Sequence, residues 1–533
     1  MPAANAKIMA TYLGFDSSTQ SLTATIVEVT DAVRRIVFEH VLEFDREFPE
    51  YGTTHGVVTS GEDGRVVTAP PAMWAAALDR MAGVLAASGV DLSRIRAITG
   101  SGQQHGSVYL AAGAAAALRH LDPERALVEQ VGGLFSRPES PVWLDCSTSG
   151  ECAGLTEALG GDAALAQLTG SRAYERFTAA QIRKFARADP AAYARTERIH
   201  LVSSFMASLL AGRHAPLEPG DASGMNLMEL AERRWSPAAL DATAPDLGRR
   251  LPPIHESWTV TGTLSPYWQS RYGFGPAFLI PWSGDNPSAL VGLGLVSPGA
   301  LGISLGTSDT VFGPIARPTH DPGGSGHVFG SPAGGYMALT CFANGSLARE
   351  RVRDAFGLDW ERFSRALRST PAGNGGALTT PWFVPEITPR VAAPSSRRRN
   401  LDETDAPRMV RAIVEAQAMA MRLHSQWIAP RAASILATGG AAANPDILQV
   451  IADVFDTEVV RGTPRNSASL GAALRAYHAE RRHEGAPVSW EDAVAGFTSP
   501  DDELRVRPNA ASAAVYAALL PEYAAFERES KGE

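Results

Sequence analysis

Only three cysteines, Cys146, Cys152 and Cys341, stand among the 533 residues. They cannot form a disulfide framework and are too few, at this spacing, for a structural zinc site. A reducing, cytoplasmic setting is therefore expected, and Cys146 reads as a small buried hydrophobe rather than a nucleophile. Residues 1–9 hold one lysine and no apolar core, so no secretory signal is expected. No run approaches the about 18 consecutive apolar residues of a membrane-spanning helix. Positive charge is not in excess either: the net charge of -9 leaves no footprint for nucleic acid or an anionic membrane. An acidic surface weakly repels phosphate-bearing ligands, so a site for one must bring its own donors or a metal. Also missing is a Gly-x-Gly-x-x-Gly after the first strand. The acid two residues after Gly14 would repel a pyrophosphate without a metal, so a nicotinamide-dinucleotide oxidoreductase is poorly supported.

What is present, 45% hydrophobic and 20% charged residues, is an ordinary globular composition in a chain too long for one core. At least two domains are expected. The reading centres on residues 281–311. The apolar run 277–282 reads as a strand ending in Gly284-Asp285-Asn286-Pro287, then a small-residue helix over 288–293. Pro287 suits the first helical position, with Asn286 as cap. This puts the Asp285 carboxylate at a strand-to-helix corner, beside N–H groups that favour its ionised form. It is a candidate base, or an ordinary cap. A link bearing Gly292, Gly294, Pro298 and Gly299 is a candidate hinge. It leads to a strand over 301–305, broken at Gly306-Thr307-Ser308-Asp309-Thr310, whose N–H and O–H groups suit a phosphate or simply make a turn. The same plan of apolar strand, glycine, acidic and hydroxyl residues, then a β-rich run, begins at Tyr12, with Gly14 and Gly306 as equivalent points. Such a repeat indicates two related lobes.

Along the chain, strands are expected over 9–15, 22–29 and 34–42, antiparallel because few residues separate them. A helix follows over 70–87 with Trp74, Leu78, Met81 and Leu85 on one stripe. Strands over 95–99 and 107–110 flank Gln103, Gln104 and His105, whose amide and imidazole groups either bind sugar hydroxyls or tie their own loop together. Residues 111–140 read as an insertion. A strand over 141–145 ends in Asp145, turned into a site or capping the next helix, expected over 147–159. Arg172, Glu175 and Arg176 lie in 170–177, and a helix is expected over 199–210. Further on come a strand over 336–342, a solvated arginine run in 394–400, a long helix over 405–427 and a strand over 434–438. Gly439-Gly440, before a helix capped by Asn444, suits a nucleoside phosphate. The order predicts α/β architecture with mixed sheets covered by helices.

Gly14-Phe15-Asp16-Ser17-Ser18-Thr19-Gln20, Gly284-Asp285-Asn286, Ser304-Leu305-Gly306-Thr307-Ser308 and Ala437-Thr438-Gly439-Gly440 resemble, in order, the motifs of the FGGY carbohydrate kinase family. Gln103-Gln104-His105-Gly106-Ser107 and Gly170-Ser171-Arg172-Ala173-Tyr174-Glu175-Arg176-Phe177 resemble its xylulose kinase branch, in the longer form. The resemblance runs from about Tyr12 to about His478. It implies a two-lobed ribonuclease-H-like (actin-like ATPase) fold with the active site in the interlobe cleft. The lobes would be 1–293, with sugar site and base, and 294–533, with ATP. It implies ATP-dependent phosphorylation of D-xylulose to the 5-phosphate. The alternatives are ribulose, gluconate or glycerol as acceptor, or a non-catalytic sugar- or nucleotide-binding regulator. Carried over residue by residue, Asp285 is the base, and His105, Arg176, Asp285 and Asn286 hold the sugar. Asp16 faces Mg²⁺, and Asp16, Ser18, Thr19, Gly306, Thr307, Ser308, Trp360, Gly439, Gly440, Ala441 and Asn444 handle ATP. The implied partners are the sugar and ATP, with no nucleic acid or membrane, in a monomer or homodimer. The presence of both Asp16 and Asp285 argues against an inert regulator, since a pure binder needs no base. One departure is plain: where relatives carry a Pro-Lys…Trp pattern, this chain has Phe177-Thr178-Ala179-Ala180-Gln181-Ile182-Arg183-Lys184-Phe185. No contact through that lysine or tryptophan is carried over.

Overall fold

The computed structural model describes residues 10–30, 32–61, 63–462, 466–498 and 501–532, with 501–503 as backbone only. The expected start of the first strand at Met9 and the reading of the first nine residues lie outside them. The chain divides into two compact units. One comprises Met1–Val296, Phe329–Tyr336 and Pro464–Ser499, the other Ser297–Val328, Met337–Thr463 and Pro500–Glu533. The division between Val296 and Ser297 lies close to the expected lobe boundary, but 329–336 and 464–499 count with the first unit.

The strands of the two main sheets are numbered here in chain order. The first unit contains β1 (Ala10–Ser17), β2 (Ser21–Val29), β3 (Arg34–Glu43), β4 (Ile95–Gly102), β5 (Gly262–Thr263), β6 (Phe278–Leu279) and β7 (Ser283–Gly284). Among the described residues they run in the order β5-β6-β4-β1-β2-β3, with β7 also on β4. β1, β2 and β3 form the expected antiparallel meander, while β1, β6 and β7 lie parallel to β4. Successive β1 side chains point to opposite faces. Leu13 and Phe15 enter the core built with Trp74, Leu78, Met81 and Leu85 of helix Pro71–Ala87, the expected stripe. Tyr12 enters a second core with Leu470, Ala473, Leu474 and Tyr477 of helix Ser467–His483. Gly14 shares that second face, where an added Cβ would stand 2.1 Å from the Ser469 carbonyl oxygen. Gly14 is thus a close-packing residue inside β1, and the equivalence expected between Gly14 and Gly306 does not hold. The matching features of the two sheets are their first hairpin turns.

The second main sheet repeats the plan with β8 (Ala300–Leu305), β9 (Asp309–Ile315), β10 (His327–Gly330), β11 (Tyr336–Phe342), β12 (Ser434–Thr438), β13 (Val459–Arg461) and β14 (Asp501–Val506). Their order is β10-β11-β9-β8-β12-β13-β14. β8 and β9 make an antiparallel hairpin, and β8 is followed across the sheet by parallel β12 and β13.

Several local expectations change. The run 277–282 is interrupted between β6 and β7 at Pro281, which has no N–H to give the ladder. The next helix is Asp285–Gly292 with Gly284 at its N-cap, so Asn286 is not the cap and Pro287 is not the first helical residue. The helix expected over 199–210 is strand Thr196–Leu201 followed by helix Val202–Ala211. There the Ser204 hydroxyl accepts from the Leu201 N–H at 3.1 Å and marks the junction. Of the expected 141–145 strand only Pro141 is in a ladder, as the end of the short strand Ser140–Pro141. The segment 111–140, read as an insertion, packs into the first core through Leu118, Leu127 and Val131. Cys146 is exposed, not buried, and all three thiols are free. Gly292 is no hinge: an added Cβ would lie 1.9 Å from the Ser467 carbonyl oxygen. Gly294 and Gly299 do adopt left-handed backbone, with φ of 73° and 97°. Among the described residues no helix is long and apolar enough to cross a membrane.

Candidate active site

Register places the first group of site residues. Asp16 of β1 sits beside Ser101 of β4, and Ser283 and Gly284 of β7 sit beside Ser101 and Gly102. Asp16 and Asp285 therefore stand at the carboxyl ends of β1 and β7, the two parallel strands that flank the end of β4, where open α/β sheets bind ligands. The Ser101 hydroxyl donates to Asp16 Oδ1 at 2.7 Å. Asp285 Oδ1 accepts from the backbone N–H of Asn286 at 2.8 Å, that of Gln104 at 3.4 Å, and Asn286 Nδ2 at 3.0 Å. These donors favour the carboxylate, as the sequence suggests, but burial outweighs them and pushes Asp285 up to about 6. Asp285 is a stronger base than a helix-start carboxylate in water. Asp16 is pushed up to about 7 by burial first and by the Asp285 charge second, with Ser101 opposing.

Two mutually repelling carboxyls at one edge of the sheet fit Mg²⁺, which takes one or two carboxylates and completes its shell with water and phosphate oxygens. Among the described residues no group of three or more His, Cys, Asp or Glu could hold a metal without such help.

His105 is buried with its backbone left-handed at φ 73°. Its Nδ1 lies 2.8 Å from the Gly224 carbonyl oxygen, which can only accept, so Nδ1 carries the proton and Nε2 keeps a lone pair. Burial, then the Arg176 charge, push its pKa down to about 3, so the imidazole is neutral. The ring packs against Phe177 at 4.3 Å and Phe329 at 6.1 Å. Arg176 lies 5.0 Å over Tyr174 and 5.9 Å over Phe177, within reach of His105, while Arg172 is over the Tyr174 ring at 4.5 Å. Gln104 joins the set: its Oε1 accepts from Asn286 Nδ2 at 3.0 Å and its Nε2 donates to Gly220 O at 3.4 Å. Gln103 is buried, and its side-chain amide has no protein partner among the described residues.

Other residues take structural parts. Asp145 neither caps a helix nor enters this group. It accepts from the Val67 N–H at 3.0 Å, the Ser147 N–H at 3.0 Å and Gln181 Nε2 at 2.7 Å. In the helix that departs from the family pattern, Lys184 donates to Ser147 Oγ at 2.6 Å, and Thr178, which sequence reading missed, donates to the His105 carbonyl at 3.1 Å. Ser18 and Thr19 form the β1–β2 turn: Ser18 Oγ donates to Ser21 O at 3.1 Å, and Thr19 Oγ1 accepts from Trp143 Nε1 at 2.8 Å.

The second unit holds a cavity of about 800 Å³. Of the expected nucleotide residues, Gly306, Thr307, Trp360, Gly440, Ala441 and Asn444 line it. Ser308 is exposed in the β8–β9 turn. Gly439, with φ 86°, lets the loop after β12 close on β8, since an added Cβ would stand 2.5 Å from Leu305 O. Trp360 is 41% exposed and held by Arg353, 4.6 Å over its ring, leaving an aromatic surface for a base. Asn444 caps helix Pro445–Phe455 through Oδ1 and donates from Nδ2 to Ser364 Oγ at 2.7 Å. The turn rests on a buried pair that the sequence did not reveal, Arg349 with Asp309 at 2.8 Å. Such partners lie far apart in the chain, so no local signal announces them.

Comparison with known proteins agrees with this geometry. The FGGY family of carbohydrate kinases matches residues 139–292 by its N-terminal domain and 301–480 by its C-terminal domain. Xylulose kinase of Rattus norvegicus is 44% identical, over 97% of this chain and 96% of its own length. Two solved structures share the fold: xylulose kinase from Rhodospirillum rubrum (TM-score 0.79, 18% identity, 97% of this chain and 98% of that one) and gluconate kinase from Lactobacillus acidophilus (TM-score 0.79, 16% identity, 98% of each chain). The chain belongs to the FGGY family of carbohydrate kinases, phosphotransferases with the two-lobed actin-like ATPase fold.

Proposed function

We propose that this kinase transfers the γ-phosphoryl group of ATP to the 5-hydroxyl of D-xylulose, with Asp285 as general base. The observation that carries the sugar assignment is the 44% identity to a xylulose kinase across nearly the whole chain. The fold does not choose the sugar, because a gluconate kinase superposes as well as a xylulose kinase.

Asp285 takes the hydroxyl proton. Its pKa of about 6 lies near the working pH, where a carboxylate is both ionised and basic enough to act. The loose transition state of phosphoryl transfer asks for that proton only late. Neutral His105 offers Nε2 and Asn286 its Oδ1 as acceptors, since both Asn286 Nδ2 hydrogens are given to Gln104 and Asp285, while Arg176 donates, a mixture that suits hydroxyls able to do both. The N–H and O–H groups of Gly306, Thr307 and Ser308 hold phosphates, Trp360 takes the base, and Gly440, Ala441 and Asn444 the nucleoside end. Asp16 would face a Mg²⁺ ion, which when bound would supply neutralisation of the phosphate charge. Three free thiols fit a reducing cytoplasm.

A coupled assay of ADP release should rank kcat/KM for D-xylulose above D-ribulose, gluconate and glycerol. A better acceptor in that panel defeats the sugar assignment and leaves the kinase intact.

A further inference from the structure

Behind the site lies a buried polar cluster that the reaction does not use. Glu218, Ser283, Ser203 and Ser257, with Asp221 and Arg475, are 4% exposed or less. Ionised groups are costly to bury, and an apolar core of the same shape does not carry that cost. What these groups hold is the chain segment that ends in Asp285. Arg475 donates from Nη2 to the Pro281 carbonyl at 2.8 Å and from Nη1 to the Gly100 carbonyl at 3.1 Å, so it grips the root of β7 and the end of β4 at once. Thr99 Oγ1 adds a second bond to Pro281 O at 2.9 Å. Two residues on, the Ser283 hydroxyl donates to Glu218 Oε1. The same oxygen accepts the Asp221 N–H at 3.0 Å, and Oε2 accepts from Ser257 Oγ at 2.6 Å.

The grip is tight. A Cβ on Gly220 would stand 2.5 Å from Glu218 Oε1 and 3.0 Å from Ser283 Oγ, and one on Gly284 would stand 2.5 Å from the Gln104 side chain. Gly220 O is also where Gln104 is tied, and Gln104 supports Asn286 and Asp285.

We propose that Glu218 is a positioning residue for Asp285: by accepting from Ser283 it fixes β7, and hence the base, against the loop that carries Gln104, while Arg475 holds the Pro281 and Gly100 carbonyls beside it. This deepens, and rests on, the reading of Asp285 as the base. Glu218 is fully buried, at 0% exposure. A misplacement of about 1 Å at a reacting group costs about 100-fold in rate, so a hydroxyl-to-carboxylate bond two residues from the base is a strong lever.

The test is Ser283→Ala, a small change that removes the donor and keeps the fold. Its kcat should fall about 10- to 100-fold with D-xylulose, while the KM for ATP, bound by the other unit, stays within about twofold. Glu218→Leu, which also takes the acceptor from the Asp221 N–H and Ser257, should lose at least as much, and Glu218→Gln, which keeps an acceptor for Ser283, should restore most of it. The double variant Ser283→Ala/Glu218→Leu should be no slower than Glu218→Leu alone, because Glu218→Leu already lacks the one bond that Ser283→Ala removes. Folding is checked by near-ultraviolet circular dichroism. Folded Ser283→Ala with kcat within about twofold of the parent, or additive losses in the double variant, overturns the proposal. Asp285→Ala, run alongside, separates the two ideas: if it keeps full turnover, the base assignment fails. If it loses turnover while Ser283→Ala does not, only the positioning role fails.

Discussion

Asp285 shows where sequence reasoning stops. Its place at a strand-to-helix corner is legible from Gly284-Asp285-Asn286-Pro287, and so are the N–H groups that favour its charge. What is not legible is the dehydration imposed by β4 and the Gln104 loop, which reverses the sign of the shift. The acid limb of kcat/KM should accordingly bend near pH 6, about two units above an ordinary aspartate. A profile flat down to pH 4.5 would remove Asp285 from the rate equation. Asp16 carries a separate expectation. Asp16→Ala should raise the Mg²⁺ concentration that half-saturates activity, and lower turnover, more than it weakens sugar binding. Calorimetry of sugar binding beside a Mg²⁺ titration of activity distinguishes this from a structural role, in which the metal dependence stays unchanged. His105 and Arg176 were readable by resemblance, but the tautomer of His105 was not, because it is set by Gly224, a residue remote in sequence.

At the scale of elements, the hairpins and the stripe of helix Pro71–Ala87 were legible because their periodicity is local. Glycines were legible as residues but not as reasons. Gly14 looked like part of a phosphate turn and serves instead to admit helix Ser467–His483. The same helix meets the helix that begins with Asp285: an added Cβ on Gly471 would lie 2.0 Å from the Ser288 carbonyl oxygen. Gly471→Ala should therefore push helix Asp285–Gly292 off its seat, destabilise the protein by about 1–3 kcal/mol and lower kcat. Urea unfolding and turnover measured together check it, and a variant unchanged in both contradicts the packing account. Gly294, with φ 73°, cannot become proline without breaking the backbone, so the link before Ser297 cannot be stiffened there by proline.

Across the whole molecule, the repeated sheet plan was visible as an echo between the two ends of the chain, although its register was not. The family motifs picked out Gly306, Thr307, Gly440 and Asn444, which line the second unit's cavity, while Ser364 and Arg349 in the same wall needed the folded chain. Burial of the site carboxyls also sets a cost for function. An aspartate whose folded pKa is raised from 3.8 to about 6 loses stability as pH climbs through that interval, and the loss is complete above it. Neutralising it should stabilise the unliganded protein at pH 8 by up to about 3 kcal/mol and have little effect at pH 4. Asp285→Asn compared with the parent by denaturant unfolding at both pH values tests this. Equal stability at pH 8 would mean that the carboxylate is better solvated than its surroundings imply.

The most direct test follows phosphoryl transfer from ATP to D-xylulose by purified, folded Asp285→Ala and by the parent, with the product identified by ³¹P NMR. The parent should form D-xylulose 5-phosphate, and the variant should be slower by at least about 100-fold while still binding sugar and ATP. Near-parental transfer by the variant, or phosphate at another hydroxyl, would contradict the account.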